Sequence, residues 1–189
     1  MSVLAFAVAG LSGCGIQSIP QTENEVDASW AEVLNQYQRR ADLVPNLVEV
    51  VKGYAKHEKS TLESVIQARS QATQIHLEAK DLSAENLARF EKAQNTLKGS
   101  LSRLMVVAEQ YPDLKANQNF RDLQVQLEGT ENRITVARGR FIEQVKMFNN
   151  LVSVFPTSLT NSLFFHHAKK PQFTVADEAA AAKPPEVKF

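Results

Sequence analysis

The sequence predicts an all-α protein, a long antiparallel bundle of three to four helices with coiled-coil-like seams. Three observations carry that expectation. Proline is absent between Pro45 and Pro112 and again between Pro112 and Pro156, so long helices have room to run. Within those intervals apolar residues recur at alternating three- and four-residue steps, the period of a helix packed along one side. Seven Gly and seven Pro in 189 residues are too few for the many tight turns of a sandwich or barrel.

The elements follow in chain order. Met1 to Leu11 is an apolar run without charge, too short to span a bilayer as a helix. Leu11-Ser12-Gly13-Cys14-Gly15 comes next and resembles the lipobox of bacterial lipoproteins, in which a signal peptidase cuts before a lipidated Cys. Small Ser12 and Gly13 would give that peptidase access to the backbone. Such signals normally open with Lys or Arg, and none precedes Cys14, so either the true start lies upstream of Met1 or the match is accidental. The competing reading is a lone buried Cys. Targeting explains a terminal apolar run better than a core does, so Cys14 is assigned as the lipidation site. Residues 1–13 are then expected to be a signal peptide, and residues 14–22 the lipidated Cys and its tether.

The bundle is expected over residues 23–156. Its first helical region runs from about Glu23 to Ile75, with Val26, Trp30, Val33, Tyr37, Ala41, Val44, Val48, Val51 and Ala55 on the seam. Leu62, Val65 and Arg69 prolong it less cleanly. Pro45 falls inside that region, where either Asp42 caps a new helix or one helix continues with a kink. The unbroken apolar phase from Tyr37 to Val48 favours the continuous helix. Ser83 to Gln110 forms the clearest helix, with Leu87, Phe90, Gln94, Leu97, Leu101, Leu104, Ala108 and Tyr111 on its seam. Asp81 or Ser83 can cap its start and Pro112 ends it. A third helix is expected from Asn119 to Phe155, its seam running from Phe120 through Ile134, Phe141 and Phe148 to Phe155, and Pro156 stops it. The short link from Tyr111 to Asn119 makes these last two helices antiparallel neighbours.

Gly53, Gly99, Gly129 and Gly139 each cost helix propensity, about 1 kcal/mol, which close helix approach would offset. Residues 157–173 read as a short C-terminal extension. The apolar period is lost from His166 onward, and residues 174–189, with their Ala run and Pro184-Pro185, are expected to be disordered.

Composition excludes several functions. Lys+Arg 21 against Asp+Glu 21 gives zero formal charge, without the basic excess that nucleic-acid phosphates require. A single Cys permits neither an internal disulfide nor a cysteine-rich metal site. His57-Glu58 begins like the zinc-protease helix motif, but Thr61 stands where the second His is needed. His166 and His167 diverge by about 100° on a helix, a poor metal clamp, and His76 stands alone. No phosphate loop, nucleophile elbow or paired-thiol motif occurs. We therefore expect no catalytic residue, no metal and no cofactor, with the four His solvated or capping.

Several blocks remain that composition does not explain. Gln38-Arg39-Arg40-Ala41-Asp42-Leu43-Val44-Pro45-Asn46-Leu47-Val48 is followed by Val51-Lys52-Gly53-Tyr54-Ala55 and His57-Glu58. Later come the block from Ala108-Glu109-Gln110-Tyr111-Pro112-Asp113 to Asn117, then Leu123-Gln124, Thr130-Glu131-Asn132 and Phe155-Pro156. Together, over roughly Glu25 to Phe173, these resemble the LemA family of bacterial envelope proteins. The resemblance implies an N-terminal membrane anchor, a long antiparallel helical bundle outside the cytoplasm and no established biochemical activity. It also implies neighbours: the family is often encoded beside membrane proteases and other envelope proteins. Gly15 rather than Asp after the Cys, as in lipoproteins of double-membraned bacteria, suits the outer membrane more than the inner.

The block around Pro45 is the most charged feature beside an apolar seam, and Arg39, Arg40, Asp42 and Asn46 are the candidate partner or ligand contacts. Arg39 and Arg40 lie about 100° apart around a helix, so they cannot both face the seam. Asp42 is within reach of Arg39, so that pair is expected to be structural and Arg40 to lie on the surface. Gln94 and Thr130 on core seams are expected to fix helix register. Two functions are compatible with these features. The first is a membrane-tethered, non-catalytic scaffold or adaptor of the bacterial cell envelope, acting on an unidentified envelope protein that belongs, on the family's example, to a membrane protease system. The second is a sensor or binding module holding a small ligand or anionic group between helices near Arg39, Asp42 and Asn46.

Overall fold

A computed structural model describes residues 16–173, most of which are helical, with no strand among them. Helix α1 spans Ser18–Tyr54 and α2 spans Lys59–Gln74. A single 3₁₀ turn, Ala79–Asp81, leads to α3, Ala84–Ala108. A short α4, Pro112–Ala116, precedes α5, Gln118–Ser153. Helix α6, Thr157–Thr160, runs into a turn of π-helix at Asn161–Phe165.

At 1.5 Å per residue, α1 and α5 are rods of about 55 Å each. They lie antiparallel: Asn117 reaches Tyr54, Arg133 reaches Gln36, and Lys170, beyond the end of α5, reaches Glu23. Helices α2 and α3 form an antiparallel hairpin on one half of this pair, with Ser64 beside Ser100 and Glu58 beside Tyr111. Boundary chemistry follows the sequence. The Ser83 hydroxyl caps α3 by accepting from the Asn86 N–H, and the Asn117 side chain caps α5 by accepting from Phe120. Pro112 ends α3 and opens α4 at its first turn, where its missing N–H costs no bond.

The antiparallel bundle is as expected, and the seam residues predicted on α3 from Leu87 to Ala108 are all buried. Three expectations need correction, and one contact is new. The region 23–75 is two helices broken at residues 55–58, although α1 does continue through Pro45, on its exposed side, as the apolar phase predicts. The break comes after Gly53-Tyr54, at Ala55, whose backbone leaves the helical region while its side chain stays buried. The glycines do not mark close approach. A Cβ added at Gly53, Gly99 or Gly139 would meet nothing within 4 Å, and at Gly129 it would meet only the Arg133 side chain at 3.5 Å. Phe155, placed on the seam, is 74% exposed, because α5 ends two residues before it. The C-terminal extension keeps contact with the bundle: Phe173 is buried against Trp30 and Phe141.

The Phe173 contact shows how the bundle closes. Helices α2 and α3 do not reach the end where α1 begins and α5 finishes. The chain after α5 folds back to cover that end, held by two asparagines. Asn149 accepts from the Lys170 N–H and donates to the Lys170 carbonyl, at 2.8 and 2.9 Å. Asn161 does the same to His167, at 2.9 and 3.0 Å. Each side-chain amide thus satisfies both backbone groups of a residue in a segment without regular structure.

The buried apolar residues fall into two clusters rather than one. Ile19, Trp30, Tyr37, Phe90, Phe141, Phe148 and Phe173 belong to the first, and Val44, Val51, Val65, Leu97, Leu104 and Phe120 to the second. A polar layer lies between them.

Candidate functional site

The layer is built on Arg40, whose side chain is only 2% exposed. One Nη donates to Glu131 Oε1 on α5 at 2.9 Å. The other donates to the Gln94 side-chain oxygen at 2.6 Å and to the Gln94 carbonyl at 3.0 Å, both on α3. Gln94 in turn donates to the Ala72 carbonyl on α2 at 3.4 Å. One arginine therefore ties all four long helices together at a single level. Its guanidinium also lies over the Tyr37 ring at 5.0 Å.

A second charged pair stands beside it. Arg138 on α5 donates to Glu91 on α3 at 2.7 Å and to the Tyr37 hydroxyl at 3.4 Å, and it covers the Phe173 ring at 4.1 Å. Burial pushes the Tyr37 hydroxyl above its ordinary value near 10, with Arg138 and Arg40 partly opposing the shift. Arg40, Lys98, Glu131 and Arg138 line a surface cleft of about 330 Å³. The carboxylates already take up these cations: Lys98 lies 3.6 Å from Glu131. The Arg40–Glu131 and Arg138–Glu91 pairs thus crosslink α1, α3 and α5, an arrangement suited to fixing helix register.

The candidate residues divide cleanly. Arg39, Asp42 and Asn46 are exposed on α1. Their steps of three and four residues put them on one face. Asp42 accepts from Gln38 at 2.7 Å rather than pairing with Arg39. The expected roles of the two arginines are therefore reversed, with Arg40 inside and Arg39 outside. The signal was present in the spacing. From Val33 and Tyr37, strict alternation of three and four leads to Arg40, Val44, Leu47 and Val51, all of them buried. Reading through the apolar Ala41 instead passed over the arginine. Ala41 and Val48 are buried as well, because α1 is flanked on this half by the α2–α3 hairpin and by α5.

Gln94 and Thr130 are buried on their seams as expected. Thr130 bonds back to the Gln126 carbonyl at 2.7 Å, so it serves its own helix rather than the layer. His57, His76 and His166 are exposed, whereas His167 is partly buried, stacked on Phe165 and 3.4 Å from Glu23. No group of three or more His, Cys, Asp or Glu among the described residues is placed to hold a metal ion. No described helix is long and apolar enough to cross a membrane. Cys14, the proposed lipidation site, lies outside the described residues, as do the expected signal peptide and the tail 174–189.

No curated protein matches the sequence. The LemA family model matches residues 29–189, from within α1 through the other three long helices and past Phe173, where the residue-by-residue resemblance stops. By that match over most of its length, the chain belongs to the LemA family.

Proposed function

We propose that this LemA-family protein is a membrane-tethered, non-catalytic scaffold or adaptor of the bacterial cell envelope, anchored through lipid on Cys14. The observation that carries the reading is the continuity of the anchor with the rod. Ser18, four residues after Cys14, opens a single helix of 37 residues. That helix is locked to its neighbours at mid-length by Arg40, so an anchor at its start would orient the whole bundle. The partner surface we assign is the exposed stripe of Arg39, Asp42 and Asn46, whose side chains are free to meet an envelope protein, a membrane protease system being the class the family context suggests.

Photo-crosslinking in intact cells tests this. A benzophenone side chain at Asn46 should yield one discrete protein adduct in the membrane fraction, and Arg39→Glu should reduce it at least several-fold without changing the melting temperature. The same adducts from a benzophenone at Val125, elsewhere on the bundle, would refute a specific stripe.

A further inference from the structure

The end of the bundle where α1 begins carries an apolar surface that packing does not explain. Val154, Phe155, Leu159, Leu163 and Phe164 are each between 55% and 74% exposed. They follow one another along the turn out of α5, through α6 and into the π-turn, and Phe155, Leu159 and Leu163 repeat every four residues. Exposed apolar residues scattered singly need no explanation, but five in eleven positions form a patch. Residues 147–168 contain no Asp, Glu, Lys or Arg, and exposed Lys169 and His166 stand directly behind the patch. An apolar aromatic face followed by an exposed lysine is the composition of segments that lie in a membrane surface.

We propose that this end of the bundle dips into the bilayer surface, with Phe155, Leu163 and Phe164 among the acyl chains. The inference rests on the reading that Cys14 is the lipid anchor. Geometry then leaves the patch little choice. The covalent path from Cys14 to Ser18 spans at most about 14 Å, so the start of α1 is held near the headgroups. The patch shares that end of the bundle. Lys170 and His167, just beyond it, reach Glu23 in the second turn of α1 at 3.0 and 3.4 Å, and Ile19 and Val152 share one core cluster. The same contacts fix the patch on α1, so an anchored chain presents it to lipid rather than swinging it away. Lys169 at the rim suits anionic headgroups. The rod then stands on two feet, the acylated Cys and the apolar tip, with a defined tilt.

Tryptophan quenching by brominated acyl chains measures the contact. The chain from Cys14 to Phe189, coupled through its thiol to a maleimide lipid in mixed phosphatidylcholine–phosphatidylglycerol vesicles, would carry Phe155→Trp. Trp30 is only 1% exposed and serves as the internal reference. Val125→Trp serves as the distal control, on α5 about 45 Å from the patch. The Phe155→Trp signal should shift to the blue and lose at least half its added intensity, while Val125→Trp loses none. Equal quenching of the two variants would overturn the proposal. So would self-association in solution that Phe155→Ser abolishes, with no quenching on vesicles, since a second copy would then own the patch. Chemical coupling makes the result independent of natural lipidation, so an unmodified Cys14 in the native protein would fail the anchor reading alone.

Discussion

The Nε–H of Arg69 on α2 donates to the Ala41 carbonyl on α1 at 2.8 Å. Ala41 is the residue whose carbonyl Pro45, four positions on, leaves without a helical donor. A side chain from the neighbouring helix thus replaces the bond that proline removes, and α1 passes through Pro45 unbroken. Arg69→Ala should cost about 1–2 kcal/mol by leaving a partly buried carbonyl unsatisfied. In a Pro45→Ala background, where the helix supplies its own donor, the same change should cost at least about 0.5 kcal/mol less. Urea denaturation of the four chains closes the cycle, and additive effects would show that the two residues are not coupled.

The two consecutive arginines provide the sharpest contrast in the molecule. Arg40→Ala removes a buried guanidinium whose bonds to Glu131 and Gln94 join the helices, and should cost about 2–3 kcal/mol. Arg39→Ala, on the exposed stripe, should stay within about 0.5 kcal/mol of wild type. Equal losses would contradict the burial difference.

How much of this was legible beforehand follows from what sets each feature. The long helices are legible because their seams are periodic and because Ser83 and Pro112 mark ends by local chemistry, whereas the Asn117 cap of α5 lies two residues before the expected start at Asn119. The break at residues 55–58 carries no proline and only a neighbouring Gly53, so nothing strong marks it locally, whereas the apolar phase across Pro45 indicates the continuous helix that is found; only the Arg69 donor that supports it, coming from another helix, leaves no local signal. Arg40 was misplaced because a charge on a seam is acceptable only if Glu131 and Gln94 arrive from 91 and 54 residues away. The return of Phe173 to the core was invisible for the same reason. Its segment has no period, and the asparagines that hold it sit on elements read separately.

Phe173 closes the end of the core that α2 and α3 leave open. Phe173→Ala should cost about 3 kcal/mol, near the lower end for a buried phenylalanine. Asn149→Ala should cost about 1–2 kcal/mol by releasing both backbone groups of Lys170. Hydrogen exchange in either variant should quicken at residues 161–173 before it changes in α3. Uniform acceleration across the bundle would mean that the segment is not a separate closing element.

Tyr37 makes stability depend on pH at the alkaline end. Its folded-state hydroxyl titrates above the ordinary value near 10, chiefly because it is buried. A raised value means the folded state holds its proton longer, so the stabilisation is complete below about pH 10 and is lost as pH rises through the folded value. Tyr37→Phe should therefore narrow the fall in unfolding free energy above pH 10 while changing it little at pH 7. An unchanged alkaline slope would show that Tyr37 does not govern it.

Lipid on Cys14 is what would hold the bundle upright in the envelope, and the intact mass of the protein from its native membranes tests that anchoring. A lipidated protein should begin at Cys14 and carry the added mass of acyl chains, since two or more chains are needed for stable anchoring at about 0.8 kcal/mol per buried CH₂. A chain that retains residues 1–13 with an unmodified Cys14 thiol would contradict it.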